Sequence, residues 1–212
     1  MSYPSVVAAA LSGASVRQLS YWRSARSTEP LLAPEFRRSA RRIDYSFRDV
    51  VALRAFVYLR SRDVPLQRVR KAVRALREMG ETEHLATYTL VAVGRDVVWR
   101  RSADEVVDLT GNAGQYVIAQ MADILDSFQT SGREVVPLHT PKPGVTIDPD
   151  VRGGYPVLAG TRVPYDVVAS LVSDGVQPGD ISQFYPSVTA GDAVGAQEFA
   201  AYVDKYRARA AG

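Results

Sequence analysis

The stretch SGASVRQLSYWRS, Ser12 to Ser24, decides how the chain is read. Ser12 and Gly13 end the apolar run Val6 to Leu11, and Ser15 starts a second helix with Gln18 three positions on. That is a capping-box pattern, in which serine and glutamine satisfy each other's free backbone amides. Two short helices joined by a tight, glycine-containing turn make a helix-turn-helix, whose second helix enters a major groove while the first braces it. Helical spacing turns Val16, Leu19 and Trp22 inward and leaves Arg17, Gln18, Tyr21 and Arg23 exposed.

The residues that follow extend the pattern. Beyond a loop with Pro30 and Pro34, the cluster Arg37, Arg38, Arg41 and Arg42 leads into Ile43 and Tyr45, a small β wing. Ser46 caps a helix with Asp49 in the reciprocal position, and Phe47, Val50, Leu53 and Val57 give that helix a core face. Pro65 opens the next helix, which turns Leu66, Val69, Val73 and Leu76 inward and stops at Gly80. Its other side, Arg68, Arg70, Lys71, Arg74 and Arg77, reads as a solvated face.

Charge is unevenly spread. The 212-residue chain has a formal charge of only +3, yet residues 1–80 hold 16 Lys and Arg against 6 Asp and Glu. The remainder holds 10 against 17. A basic front joined to an acidic rear suits an anionic partner on one side, and arginine's planar fork suits phosphate oxygens and guanine edges. With no cysteine, disulfides, thiolate metal sites and thiol catalysis are excluded. The uncharged run before Arg17 lacks a basic leader and is broken by Pro4, Ser12 and Gly13, unlike a signal peptide. No apolar run is long enough to span a bilayer, and a cytoplasmic location is expected.

The segments SGASVRQLSYWR, RRIDYSFRDVVALR and VPLQRVRKAVRAL together resemble the MerR-type winged helix-turn-helix over roughly residues 5–80. The resemblance implies that Arg17 and Tyr21 contact a duplex and that Arg42 and Tyr45 contact phosphates from the wing. Trp22 stands where the family has a second aromatic and joins the DNA-binding candidates on that ground. With Gln18, Arg23, Arg37, Arg38 and Arg41 they form the expected interface. One departure is plain: metal sensors of this family use cysteines, and none is present.

The centre reads differently. TYTLVAVGRDVVWR alternates like a β-hairpin around Gly94, Arg95 and Asp96, and EVVDL offers a third strand. GNAG lacks the Lys-Ser/Thr of a phosphate loop. QYVIAQMADILDSF has helical spacing, with Val117, Met121, Ile124 and Phe128 on one face and a stop near Gly132. Four prolines mark PLHTPKPGVTIDPD as the best linker. In the rear, Gly160 pins a tight turn in PVLAGTRVP, and helices are expected at Tyr165–Ser173, about Pro178–Phe184, and from Ala190 to near Arg207, the last capped by Thr189.

Gly154, Pro156, Val157, Gly160, Thr161, Arg162, Val163 and Pro164 reproduce the motif of the domain-of-unknown-function family 433, and this segment resembles that family over about residues 144–203. The family implies a small three-helix, winged-helix-like domain common in antitoxins. The two resemblances together are those of VapB-type antitoxins, which implies operator DNA and a PIN-domain ribonuclease toxin as partners. Arg162, Arg207 and Arg209 are the toxin-contact candidates, because a guanidinium can pair with a nuclease's metal-binding carboxylates. A homodimer is expected from the symmetry of operators.

The expected fold is α+β, mainly helical with small β elements. Its parts are a winged helix-turn-helix at 1–82, a hairpin-and-helix region at 83–136, a linker at 137–143 and the rear domain at 144–212. No cofactor, metal or catalytic site is expected, since the carboxylates follow no nuclease pattern and His84 and His139 are isolated. The competing reading is a MerR-like regulator whose central region, 84–132, senses a small molecule.

Overall fold

The computed structural model describes residues 2–24, 29–37, 43–81, 83–87, 89–93, 95–100, 106–110 and 124–208. The chain is mainly helical with small antiparallel strand groups. Helix α1 (Ser5–Ser12) is alanine-rich and buried from Val7 onward. It ends at Gly13, whose N–H returns to the Ala9 carbonyl at 2.9 Å with φ at 80°. A Cβ at Gly13 would also lie 2.5 Å from the Val135 side chain, so the turn needs glycine for both conformation and space.

Helix α2 (Val16–Trp22) begins with the expected capping box: Ser15 Oγ accepts from the Gln18 N–H at 3.1 Å, and Gln18 Oε1 accepts from the Ser15 N–H at 2.7 Å. The wing is a three-stranded sheet in the order β1 (Tyr3–Pro4), β3 (Ile43–Tyr45), β2 (Phe36–Arg37). Tyr3 pairs with Tyr45, so the N-terminus supplies an edge strand that its two-residue length hides from sequence reading.

Helix α3 (Phe47–Ser61) starts at a second capping box between Ser46 and Asp49. The sequence promised it one core face. In the structure Val50 through Leu59 are buried except Ala55, because α1, the wing, helix α4 (Leu66–Glu78) and the central strands surround it. Helix α4 carries the expected inward row of Val69, Val73 and Leu76. Its arginine side is engaged too. Arg68 pairs with Asp96 at 3.2 Å, Arg68 and Lys71 donate to the Thr110 carbonyl, and Arg77 pairs with Glu29 at 2.7 Å.

The central sheet has the order β4 (Thr89–Val93), β5 (Asp96–Arg100), β6 (Val106–Asp108), matching the anticipated hairpin and third strand. Most of the helix expected around Val117 and Met121 lies outside the described residues. Ile124 and Leu125 are helical, but Phe128 is not. It opens strand β7 (Phe128–Thr130), paired with β8 (Arg133–Val135) around Ser131 and Gly132, with φ of 48° and 71°. Successive left-handed residues make the tight reversal that suits strand twist. Gly132 is therefore a hairpin residue and not a helix stop.

The stretch expected as a linker is packed. Leu138 and Pro141 are buried, and strand β9 (Val145–Thr146) pairs with β10 (Val157–Leu158). Helix α5 (Tyr165–Ser173) has the expected bounds, with Pro164 before it and Gly175, φ 102°, after it. The following helix is a 3-10 turn, Pro178–Gln183, and helix α6 (Ala190–Ala208) starts at a Thr189–Asp192 capping box. Tyr202 of α6 donates to the Ala10 carbonyl at 3.0 Å, and one buried core runs from Tyr3 to Tyr206. Front and rear thus share a hydrophobic interior.

Candidate nucleic-acid interface

The capping box fixes where α2 begins, and burial of Leu19 and Trp22 fixes its rotation. Trp22 meets Phe56 edge to face, with ring centroids 6.0 Å apart. The opposite side presents Arg17, Gln18, Ser20 and Tyr21, the last 58% exposed. Behind Tyr21 the Arg70 guanidinium lies 5.3 Å from the ring centroid, a cation–π contact that links α4 to the exposed face.

Two expected duplex contacts are corrected. Trp22 and Tyr45 are 3% and 1% exposed, and both side chains belong to the core. Apolar spacing decides Trp22. Tyr45 is covered by pairing with Tyr3 of β1 and receives a hydrogen bond from Arg23 Nη1 at 3.0 Å. Burial raises the Tyr45 pKa against the opposing pull of Arg23, so its hydroxyl stays protonated. Arg23 therefore braces the wing against α2. Arg37 sits in β2, whose backbone alone is described at that position; Arg38, Arg41 and Arg42 lie outside the described residues.

Residues 3–76 match the family model for the MerR HTH family regulatory protein. That part of the chain is thus similar to the MerR helix-turn-helix over residues 3–76. Residues 145–200 match a second model, Protein of unknown function (DUF433). The "Uncharacterized HTH-type transcriptional regulator" Rv1830 of Mycobacterium tuberculosis and its counterpart Mb1861 of Mycobacterium bovis are each 33% identical over 120 residues. That alignment covers 56% of this chain and 52% of each relative, so the chain spans about half the length of the curated relatives it matches. The crystal structure of Rv2018 from Mycobacterium tuberculosis superposes with a TM-score of 0.57 at 16% identity, over 92% of this chain and 96% of that one. This likeness concerns the fold.

Around the helix-turn-helix the structure groups arginines that the sequence leaves scattered. Arg60, Arg62 and Arg95 line an open cleft of about 740 Å³ with Asp63 at the α3–α4 turn. Arg60 and Asp63 also line a second cleft, about 260 Å³, shared with Gln18 of α2 and with Ser131 and Arg133 of the β7–β8 hairpin. The two clefts share Arg60 and Asp63, so arginines recur along the surface from Gln18 of α2 across the end of α3. Sequence reading missed these residues because they come from four separate elements and no local pattern marks them.

His84 is not isolated. Its Nε2–H donates to Asp49 Oδ1 at 3.1 Å, and its Nδ1 accepts the Ala86 N–H. Asp49 is fully buried, and its other oxygen accepts from the Ser46 and Glu35 amides. Glu35, Asp49 and His84 could geometrically hold a metal ion. The Asp49 and His84 atoms are already committed to capping α3 and anchoring the 83–87 loop, and the Glu35 carboxylate faces Arg48 at 3.8 Å, which are structural uses. The 35-residue separation concealed the pair.

Of the toxin-contact candidates, Arg162 is exposed beside the Gly160 turn, which Thr161 closes by accepting from the Val163 N–H and donating to the Leu158 carbonyl. Arg207 is exposed and pairs with Asp204 at 3.2 Å, and Arg209 lies outside the described residues. Among the described residues no helix is long and apolar enough to cross a membrane.

Proposed function

We propose that the protein is a non-catalytic, DNA-binding transcriptional regulator acting in the cytoplasm. Helix α2 reads an operator, and the adjoining arginines hold the phosphate backbone. The observation that carries this is the continuity between the exposed Arg17–Gln18–Tyr21 side of α2 and the cleft lined by Arg60 and Arg133. Arg37, Arg38, Arg41 and Arg42 extend the phosphate contacts on the wing side. A homodimer presents two α2 helices about one helical turn apart to a palindromic operator.

Arg17→Ala is the cleanest probe, because Gln18 also caps α2 and its loss confounds binding with folding. Operator affinity should fall, and the slope of log affinity against log salt should shrink by about 1, the signature of one lost phosphate contact. An unchanged slope and affinity would remove Arg17 from the interface.

We further infer that the regulator is the antitoxin of a pair, neutralising a PIN-domain ribonuclease. The rear family-433 segment, shared through one core with the DNA-binding front, supports this reading. Arg162, Arg207 or Arg209 is the group that reaches the toxin's carboxylates. Co-expression with the adjacent gene's product should restore growth and yield a co-purifying complex. Failure of both would leave a MerR-like regulator whose central region, 84–132, senses a small molecule, a reading favoured by Thr130 and Ser131 lining the 260 Å³ cleft.

A further inference from the structure

The rear segment resembles a second helix-turn-helix, yet its surface has the wrong sign for nucleic acid. Residues 163–204 contain six acidic residues and no lysine or arginine. A duplex brought to this face would meet unscreened repulsion with no counterion release to offset it. Between α5 and Phe184–Tyr185, just beyond the 3-10 turn, runs an open groove of about 540 Å³. It is lined by the apolar Val167, Leu171, Phe184 and Tyr185 together with the carboxylates of Asp166 and Asp174. Phe184 is 55% exposed and Val167 38%, although the core beneath them is closed. An exposed aromatic beside a second apolar side chain in a groove is the usual anchor of a protein contact.

Charge selects the occupant. A symmetric contact with a second copy would set Asp166 and Asp174 against their own equivalents or near neighbours, so self-association through this groove is disfavoured. A cationic partner is attracted, and its arginines can lie flat on Phe184 while pairing with the groove carboxylates.

We propose that this groove docks into the cationic RNA-binding cleft of a ribonuclease, with carboxylates standing where RNA phosphates would bind and Phe184 where a base would stack. The proposal rests on the ribonuclease-partner reading above. It deepens that reading by giving the α5 face the gripping role, next to the arginine that enters the acidic centre. An RNA-binding cleft must present both positive charge and stacking surface, and the groove complements both.

The test compares wild type with an Asp166→Asn/Asp174→Asn/Phe184→Ala variant. All three side chains are exposed, and asparagine at 166 still accepts the Tyr155 hydroxyl hydrogen bond. Complex formation with the adjacent gene's ribonuclease is measured by calorimetry, and a short single-stranded RNA serves as competitor. The variant should bind at least about tenfold more weakly with an unchanged melting temperature, and RNA should displace the wild-type protein. Full retention of affinity by the variant overturns the groove and leaves the antitoxin reading intact. Should the wild-type chain bind no ribonuclease, that reading fails instead. A fluorescent arginine-rich peptide with leucines at i and i+4 then decides the groove: binding lost in the variant sustains it, and equal binding overturns it.

Discussion

Arg54→Met lowers the melting temperature by about 10 °C or more, the largest loss expected from any single side chain here. Arg54 is fully buried on α3, where the charge of Asp126 favours its protonated form but makes no close ion pair with it among the described residues. Its guanidinium instead donates to four backbone carbonyls, those of Leu11, Ile124, Asp126 and Val136, and lies 5.1 Å from the centroid of Phe128. Leu11 lies in the last turn of α1, so one side chain ties the helix-turn-helix to the 124–136 segment. Burial pulls the Arg54 pKa down to about 10, still far enough above neutrality for the group to stay charged and donate.

Methionine matches much of the volume and avoids burying a charge, which works in its favour. It cannot answer four carbonyls that have lost their donors inside the protein. At about 1–3 kcal/mol each, those losses exceed the gain and consume much of a stability near 5–15 kcal/mol. Lysine does not rescue, since one ammonium cannot span carbonyls from three segments. Thermal denaturation followed by circular dichroism measures the effect, with Arg77→Ala as the control. Arg77 pairs with Glu29 on the surface and should shift stability by no more than about 1 kcal/mol. A melting point for Arg54→Met within a degree or two of wild type would contradict the clasp.

The second large effect concerns Gly195 in α6. Replacing glycine by alanine inside a helix ordinarily gains about 1 kcal/mol. Here a Cβ would sit 1.8 Å from the Pro143 carbonyl oxygen, a backbone atom that cannot rotate away. The approach is reciprocal: a Cβ on Gly144 would lie 2.8 Å from the Asp192 Cα. Two glycines thus let the 141–146 segment cross α6 at backbone distance. Gly195→Ala must push them apart, opening the contact of α6 with β9, and should cost more than about 2 kcal/mol despite the helical gain. Gly191, in the first turn of the same helix, meets nothing nearer than 3.7 Å, and Gly191→Ala should be neutral or stabilising. Urea denaturation of both variants reads the difference, and equal stabilities would refute the close crossing.

These two residues also mark what sequence reading can reach. Ser15 with Gln18 and Ser46 with Asp49 announce α2 and α3 because capping is local chemistry, complete within four residues. Pro164 and Gly175 frame α5 for the same reason. Arg54 carries no such mark. Its four acceptors come from residues 11, 124, 126 and 136, and only the assembled fold turns an arginine inward.

Phe128 has the spacing of a helical core residue, yet left-handed Ser131 and Gly132 turn it into a strand. The prolines of 137–143 read as a linker until Gly195 admits Pro143 to the surface of α6. Of the interface, the exposed residues of α2 follow from periodicity. Burial of Tyr45 depends on an edge strand too short to detect, and the Arg60–Arg62–Arg95 cleft on the meeting of distant elements.

A basic front that holds a DNA backbone must bind duplexes in a salt-dependent way. Fluorescence anisotropy of the native protein with a duplex from upstream of its own gene, titrated from about 50 to 200 mM salt, tests it most directly. Log affinity should fall linearly with log salt, with a slope corresponding to several neutralised phosphates. Absence of binding at the low-salt end, or an affinity that does not change with salt, would contradict it.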